Sequence, residues 1–404
     1  MVERAYKYRF YPTTEQENLL RRTMGCVRLV YNKALAAKTE GWYERQERID
    51  YKQTSSLLTG WKKTEDLNFL NEVSCVPLQQ CLRHLQKAFA NFWGKRAKYP
   101  RFKVKRNGGS AEFTKSAFKY RDNTLWLAKS KEPLNIVWSR LLPQRLEPHV
   151  GCNPSTVTVK LEPNGRWFVS LLVDDPTVQP LLKTKKQVGI DAGVSRLLTT
   201  SEGLKVSNPR HFNRLYQKLK AAQKELSRKT KGSSNRYKAR LKVARIHAKI
   251  KDARTDFLHK LTTNLVYCYD LIAIEDLAVR NMISNRKLAR SISDAAWGEM
   301  FRQLEYKCEW YGKKLVKIDR FFPSSKRCNH CGFVMGKLPL SVRSWDCPSC
   351  ETKDIDRDVN AGKNILAAGL AVTVCGADIR PDRHSSKGQL RKTSNGRRKQ
   401  KPKS

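Results

Sequence analysis

Eleven cysteines lie along the 404 residues, and four of them fall into two close pairs, Cys328-Asn-His-Cys331 and Cys347-Pro-Ser-Cys350. Fifteen residues separate the pairs. Two such pairs at that distance form the knuckles of a zinc ribbon, because each turn presents two thiolates and four thiolates close a tetrahedral shell. A closed shell has no open position for substrate, so a Zn²⁺ held here is structural. His330 sits inside the first knuckle and is expected to be exposed, not ligating. Cys26, Cys75, Cys81, Cys152, Cys268, Cys308 and Cys375 lack a paired spacing and read as ordinary core or surface residues.

Three carboxylates form a second constellation. Asp191 follows the apolar run Val188-Gly-Ile, Glu275 follows Leu271-Ile-Ala-Ile, and Asp358 stands in Asp356-Arg-Asp-Val-Asn-Ala. Two acids at strand ends and one at a helix start can converge on one edge of a sheet. Hard oxygen ligands of this kind suit Mg²⁺. Two such ions ~3.5–4 Å apart would activate a water and stabilise the leaving oxygen in phosphodiester hydrolysis. An Asp after a buried strand is often only a turn or cap residue. The trio gains weight because carboxylates are costly beside apolar strands.

The elements that must position these groups are legible in outline. The chain opens with an alternating strand that puts Tyr6, Tyr8 and Phe10 on one face and stops at Pro12. Thr14 and Glu17 form a capping-box pattern before a helix with Leu20, Met24, Val27 and Tyr31 on its apolar face. Helical patterning runs to about residue 97. Residues 110–175 switch to period two, with Asn164-Gly165 marking a hairpin between Thr156–Leu161 and Trp167–Val173. The first strand is expected to rejoin this β region, which makes the helical stretch an insertion. Short strands are expected at 188–191, at 195–204 as a return strand, and at 269–275. A helical hairpin broken at Lys231-Gly-Ser-Ser-Asn spans about 210–266, with Val243, Ile246, Ile250, Ala253 and Phe257 inward. A helix at Trp297–Trp310, a strand at Lys314–Ile318 and a helix from Asp358 to about Leu370 complete the pattern.

Composition sets the partner. Lys and Arg number 80 against 37 Asp and Glu, a formal charge of +43. Such a surplus repels itself unless a polyanion neutralises it, which points to nucleic acid. A basic tail does not account for it: residues 376–404 hold ten Lys/Arg and two Asp, +8 of the +43. Residues 214–254 carry 15 Lys/Arg and two acids, a single-signed surface suited to phosphates. The N-terminal Met-Val-Glu-Arg-Ala-Tyr-Lys lacks a charged region followed by an apolar run, and no stretch approaches ~18 uncharged apolar residues. The chain therefore reads as a prokaryotic cytoplasmic protein, nucleoid-associated when on DNA, with reduced cysteines and no membrane partner.

Gly189-Ile-Asp-Ala-Gly, Ile274-Glu-Asp-Leu and Asp356-Arg-Asp-Val-Asn-Ala-Gly-Lys-Asn-Ile resemble the three RuvC motifs of TnpB, the insertion-sequence OrfB family related to compact type V CRISPR nucleases. The cysteine ribbon sits between the second and third motifs, as it does there. Phe322-Pro-Ser-Ser-Lys-Arg-Cys, Val342-Arg-Ser-Trp-Asp-Cys and Ser293-Asp-Ala-Ala-Trp-Gly are similar to further family stretches. The resemblance covers nearly all of residues 1–375. It implies a multidomain α+β protein. A wedge-like β barrel (1–12 and 110–181) is interrupted by a helical recognition domain (13–109). A RuvC-like nuclease domain of RNase H fold (182–325 and 353–375) carries an inserted zinc ribbon (326–352), and a basic disordered tail follows (376–404).

By the same resemblance the chain binds a guide RNA made from its own element's end. It pairs that RNA with double-stranded DNA beside a short element-specific motif, and cuts with two Mg²⁺ at Asp191, Glu275 and Asp358. A monomer is favoured. Asp358 is preferred over Asp356 because it aligns with the family's catalytic position. Tyr51, Ser55 and Gln79 fall where the family contacts the flanking DNA motif, and Cys75 stands where a relative carries lysine. Two further departures are Glu351, where glycine often follows the last cysteine, and Gly362, where alanine is usual. Two rival readings are a transposase that joins DNA strands itself and a nuclease-dead RNA-guided repressor. The first lacks a His-hydrophobic-His pair. The second would have lost an acid, whereas all three are present.

Overall fold

The computed structural model describes residues 2–143, 153–285, 288–339 and 341–374. Cys152, Cys375 and the basic tail at 376–404 lie outside them. The chain divides into two compact units. One holds residues up to 186, 207–270 and 279–315; the other holds 187–206, 271–278 and the described residues from 316 on. Among the described residues no helix is long and apolar enough to cross a membrane.

In the first unit, strand β1 (Val2–Phe10) buries Tyr6, Tyr8 and Phe10, as its alternation requires. Its partners lie far away in sequence. β7 (Trp167–Asp175) runs antiparallel to it from Val2 opposite Asp175 to Arg9 opposite Phe168, and β5 (Ile136–Val137) flanks its other edge. β6 (Thr156–Leu161) and β2 (Gly109–Thr114) complete an order β2-β6-β7-β1-β5. The first strand thus rejoins the β region and the helices between are an insertion. Gly165, at φ +82°, turns β6 into β7, and the Asn164 side chain accepts the Arg166 amide at 3.0 Å.

The expected β barrel is not closed. Among the described residues β2 pairs with β6 alone, and both residues of β5 are used against β1, so no ladder joins the two edges of the sheet. A short hairpin, β3 (Phe118–Arg121) with β4 (Thr124–Leu127), forms its own two-stranded sheet.

Helix α1 (Thr14–Arg45) starts one residue earlier than the Thr14/Glu17 pattern suggests. Thr13 accepts the Gln16 amide while the Gln16 side chain accepts the Thr13 amide, because glutamine completes a capping box as well as glutamate does. Leu20, Met24, Val27 and Tyr31 are buried and share one core with the sheet and with helices α2 (Tyr51–Trp61) and α3 (Cys75–Trp93). The basic hairpin is α4 (His211–Ser227) and α5 (Ser234–Cys268), separated at Gly232 (φ +89°) and restarted by Ser233, whose hydroxyl accepts the Arg236 amide. Of the inner face expected on α5, Ile250 is buried and Ala253 is exposed. The long helix packs on α4 near its start and on α8 (Trp297–Trp310) further along, so no single stripe is covered throughout. Two short helices, α6 (Val279–Met282) and α7 (Ala289–Ala295), precede α8.

The second unit is built on a sheet ordered β10-β9-β8-β11-β12, from Lys205–Ser207, Arg196–Thr200, Gln187–Asp191, Leu271–Glu275 and Lys314–Ile318. β8 and β11 are parallel and nearly apolar, and β9 returns antiparallel to β8. Helix α9 (Arg357–Val374) lies across this sheet. Its approach is close: a Cβ on Gly189 would stand 2.6 Å from the Leu366 amide nitrogen, and one on Gly362 would stand 2.8 Å from the Ser201 amide nitrogen. The ribbon has its own small core of Cys328, Leu338, Trp345, Cys347 and Ile355. It is closed by β13 (Ser344–Trp345) against β14 (Ile355–Asp356).

Candidate active site and metal centre

The parallel register of β8 and β11 places Ile190 opposite Ile274. The next residue on each strand is an acid, so Asp191 and Glu275 end neighbouring strands at the same level. Asp358 lies in the first turn of α9 and meets them from the helix. All three are partly buried.

Electrostatics shows that they share one environment. Burial, then Glu275, then Asp358, pushes the Asp191 carboxyl up to about 7, against an opposing pull from Arg357. Burial also raises Glu275, opposed by a hydrogen bond from the Ser324 hydroxyl to Glu275 Oε1 at 2.5 Å. Clustered carboxylates with so little positive charge among them are poised to take cations. Arg343 reaches Asp358 only at 3.8 Å, and the Arg357 guanidinium donates instead to the Pro339 carbonyl at 2.7 Å.

Asp356 is separate. Its carboxylate accepts the Asp358 and Val359 amides at 3.1 and 2.9 Å, capping α9, and pairs with Lys205. Burial works against its ionised form, but Lys205 and the two amides hold its carboxyl below the usual range.

The four cysteines converge. Cys328 Sγ lies 3.7 Å from Cys350 Sγ, Cys331 Sγ lies 3.6 Å from Cys347 Sγ, and all four sulfurs are within 4.8 Å of one another. Thiolates at the Zn–S length of ~2.3 Å stand about 3.8 Å apart in a tetrahedron, so the cluster suits a zinc ion. The knuckles repeat one another. The Gly332 amide donates to the Cys328 carbonyl at 2.9 Å and the Glu351 amide to the Cys347 carbonyl at 3.0 Å, both residues at positive φ (82° and 56°). Thr352, through its hydroxyl and amide, pulls the Cys350 thiol down to about 6. His330 is exposed.

Several residues that the motif reading passed over tie these features together. Asn360 and Asn364, buried on α9, donate to the Arg327 carbonyl at 2.7 and 2.6 Å. Asn364 also donates to the Ser324 carbonyl at 2.8 Å, and Asn360 accepts the Asn329 amide at 3.0 Å. The helix bearing Asp358 therefore grips the first knuckle, and the same loop delivers Ser324 to Glu275. An Asn pair at i, i+4, one turn apart on one face of the helix, is the signal that could have found them.

Tyr51 and Ser55 stand on α2 and Gln79 on α3. Gln79 is exposed, and Arg83, one turn along α3, lies 4.8 Å over the Tyr51 ring, so these side chains gather on adjacent helices. Cys75 is exposed at the start of α3.

Residues 168–286 match the OrfB family described as "Probable transposase", residues 297–365 a "Cas12f1-like, TNB domain", and residues 1–47 a "Helix-turn-helix domain". A Streptomyces pristinaespiralis protein named "Putative RNA-guided DNA endonuclease" is 59% identical over 387 residues, 96% of this chain and 94% of that protein. The chain belongs to the TnpB (OrfB) family. Another TnpB relative, the Escherichia coli K12 protein named "Putative RNA-guided DNA endonuclease InsQ", is 33% identical over 94% of this chain and 95% of its own length. The TnpB chain also shares its multidomain α/β fold with a protein solved by cryo-EM in a Cas12f1–sgRNA–target DNA complex. The TM-score is 0.54 at 15% identity, covering 88% of this chain and 83% of that one. The helix-turn-helix description does not fit this TnpB chain locally, where residues 2–45 form one strand and one 32-residue helix.

Proposed function

We propose that this chain is an RNA-guided DNA endonuclease that cuts double-stranded DNA beside a short element-specific motif. The observation that carries the reading is the meeting of Asp191, Glu275 and Asp358 at the ends of two parallel strands and the start of α9. The crowding there pushes the Asp191 carboxyl up to about 7. The sheet order, with the acids at these positions, supports a RuvC-like centre. Asp191, Glu275 and Asp358 would hold two Mg²⁺, which when bound supply an activated water and charge stabilisation at the departing 3′ or 5′ oxygen. Ser324 fixes the Glu275 carboxylate through its hydroxyl, Asp356 caps the helix that presents Asp358, and the ribbon braces that helix through Asn360 and Asn364. Cys328, Cys331, Cys347 and Cys350 would hold one structural Zn²⁺.

The names of the Streptomyces and Escherichia relatives support RNA guidance, and the +43 charge supports a nucleic-acid partner. Tyr51, Ser55 and Gln79 are the side chains we assign to base-edge contacts in the flanking motif. The test is to express the chain beside its native flanking DNA, sequence the RNA that co-purifies, and challenge the complex with matching plasmid. One dominant RNA ending at the element's boundary, with cleavage abolished but DNA binding kept in Asp191→Ala, is the expected result. A smear of host RNA tracking abundance, or undiminished cutting by Asp191→Ala, overturns it.

A further inference from the structure

The C-terminal ends of α1 and α3 and the segments that follow them enclose a cavity of about 340 Å³. Its floor is aromatic: Phe89 lies 5.4 Å from Trp93 and 5.5 Å from Tyr99, and Phe92 lies 5.3 Å from Tyr99. Its rim is aromatic too, yet left in solvent, with Trp42 41% and Trp93 52% exposed. An indole normally buries its large apolar area, so two indoles facing one opening call for an occupant. The Arg48 guanidinium already lies there, 5.5 Å from the Trp42 ring centre and 6.0 Å from that of Trp93. The slot thus accepts a flat, delocalised group against an indole face.

Charge identifies the occupant. From Lys87 to Arg106 the chain carries eight Lys/Arg and no acid, and this stretch contains Phe89, Phe92, Trp93 and Tyr99. The opposite wall carries Lys38 on α1 and, just after the helix, Glu47 and Arg48. One side of an aromatic slot is therefore suited to a phosphate backbone, and the volume, at the low end for a ligand site, excludes a duplex. We propose that this cleft stacks one or two unpaired nucleobases of a single strand, with the backbone running along Lys95, Arg96 and Lys98, the exposed cations between Trp93 and Tyr99. The proposal deepens the nucleic-acid reading above and rests on it. Its aromatic wall lies apart from Gln79: Trp93 is 14 residues along α3 from that side chain, about 21 Å of helix.

The full-length protein is titrated with single strands of about 15 nucleotides: oligouridine, oligothymidine, strands of equal charge and length lacking bases, and a blunt duplex. Affinity, its salt dependence and tryptophan quenching are read together. Trp93→Ala and Trp42→Ala should each weaken base-bearing strands by about tenfold or more. Neither should change affinity for the abasic strand or the salt slope, since stacking neutralises no phosphate. Trp93→Phe should keep most of the affinity, while Lys95→Ala with Arg96→Ala should lower the salt slope and keep the preference for bases. Loss with RNA alone identifies the guide as the source, and loss with DNA alone the separated target strand; either supports the site. Equal affinity of wild type and Trp93→Ala for base-bearing strands overturns it, as does an equal loss on abasic strands. Because oligonucleotide binding needs no programmed cutting, that failure leaves the endonuclease reading standing. Failure of the wild type to bind any strand removes both.

Discussion

Gly189→Ala should cripple the candidate active site without touching an acid. Gly189 sits in β8 two residues before Asp191, and α9 crosses it with no room for a side chain. An added Cβ would fall inside contact distance of the Gly362 carbonyl oxygen and reach 2.6 Å from the Leu366 amide nitrogen. Both obstacles are backbone, so no rotamer change relieves them. Ordinary contact begins near 3.4 Å, and the Gly362 carbonyl oxygen is the closer obstacle, so α9 must lift from the sheet by more than the ~0.8 Å that the Leu366 nitrogen alone demands. Overpacking of this kind costs about 1–3 kcal/mol. Because Asp358 rides on α9 and Asp191 on β8, the lift also widens the site by nearly the same amount. A misplacement of about 1 Å lowers a positioned reaction about 100-fold. The assay is single-turnover plasmid cleavage by the guide-loaded protein, with zinc content and a thermal melt recorded alongside. Gly25→Ala is the control, since a Cβ there meets nothing within 4 Å in the middle of α1. It should be neutral or stabilising by up to about 1 kcal/mol. Wild-type cleavage and stability in Gly189→Ala would refute the argument that helix depth sets the site.

Three other perturbations follow from the same geometry. Ser324→Ala removes the 2.5 Å bond to Glu275. It should cut cleavage about 10- to 100-fold at limiting Mg²⁺, with recovery in Ser324→Thr and zinc content unchanged; equal loss in both variants would remove the orienting role. Glu351 holds φ 56° in the knuckle where its counterpart is Gly332. Glu351→Gly should therefore raise the stability of the zinc-loaded protein by about 1 kcal/mol, read by thermal melting, and a destabilised variant would contradict this. In metal-free protein the folded Asp191 carboxyl titrates near 7, above its unfolded value. Its contribution to stability is thus full at low pH and lost as pH rises through 7. Divalent ions compete with that proton, so Mn²⁺ affinity measured by calorimetry should be about tenfold weaker at pH 6 than at pH 8, and a flat profile would exclude it.

The readable parts of this chain were those encoded by short-range pattern. Trp297–Trp310 and Lys314–Ile318 have the predicted bounds because one is a compact 3.6-residue stripe and the other a short alternating run. The cysteine pairs were legible because ligand spacing is itself local. Barrel closure was not, since it depends on whether β2 and β5 find each other across the sheet, and nothing in either segment's pattern records that. The Asn360 and Asn364 contacts were hidden for a related reason: their partners are loop carbonyls 33 to 40 residues away, and a carbonyl has no letter in the sequence.

Asp356 and Asp358 show where one further rule would have helped. An Asp immediately before a helix is suited to accept the amides of its first turn, and Asp356 does so. That role engages the carboxylate with the backbone and Lys205, leaving Asp358 to face Asp191. Gly362 carries the opposite lesson. It departs from the family's usual alanine without being a candidate ligand itself. Yet a Cβ there would stand 2.8 Å from the Ser201 amide nitrogen and 3.0 Å from the Thr200 carbonyl carbon. In this chain α9 sits against β9 at a depth that alanine would not allow. Because Asp358 lies one turn before Gly362 on the same helix, that depth also sets how far Asp358 reaches toward Asp191. A substitution that changes no ligand can still set the spacing between ligands.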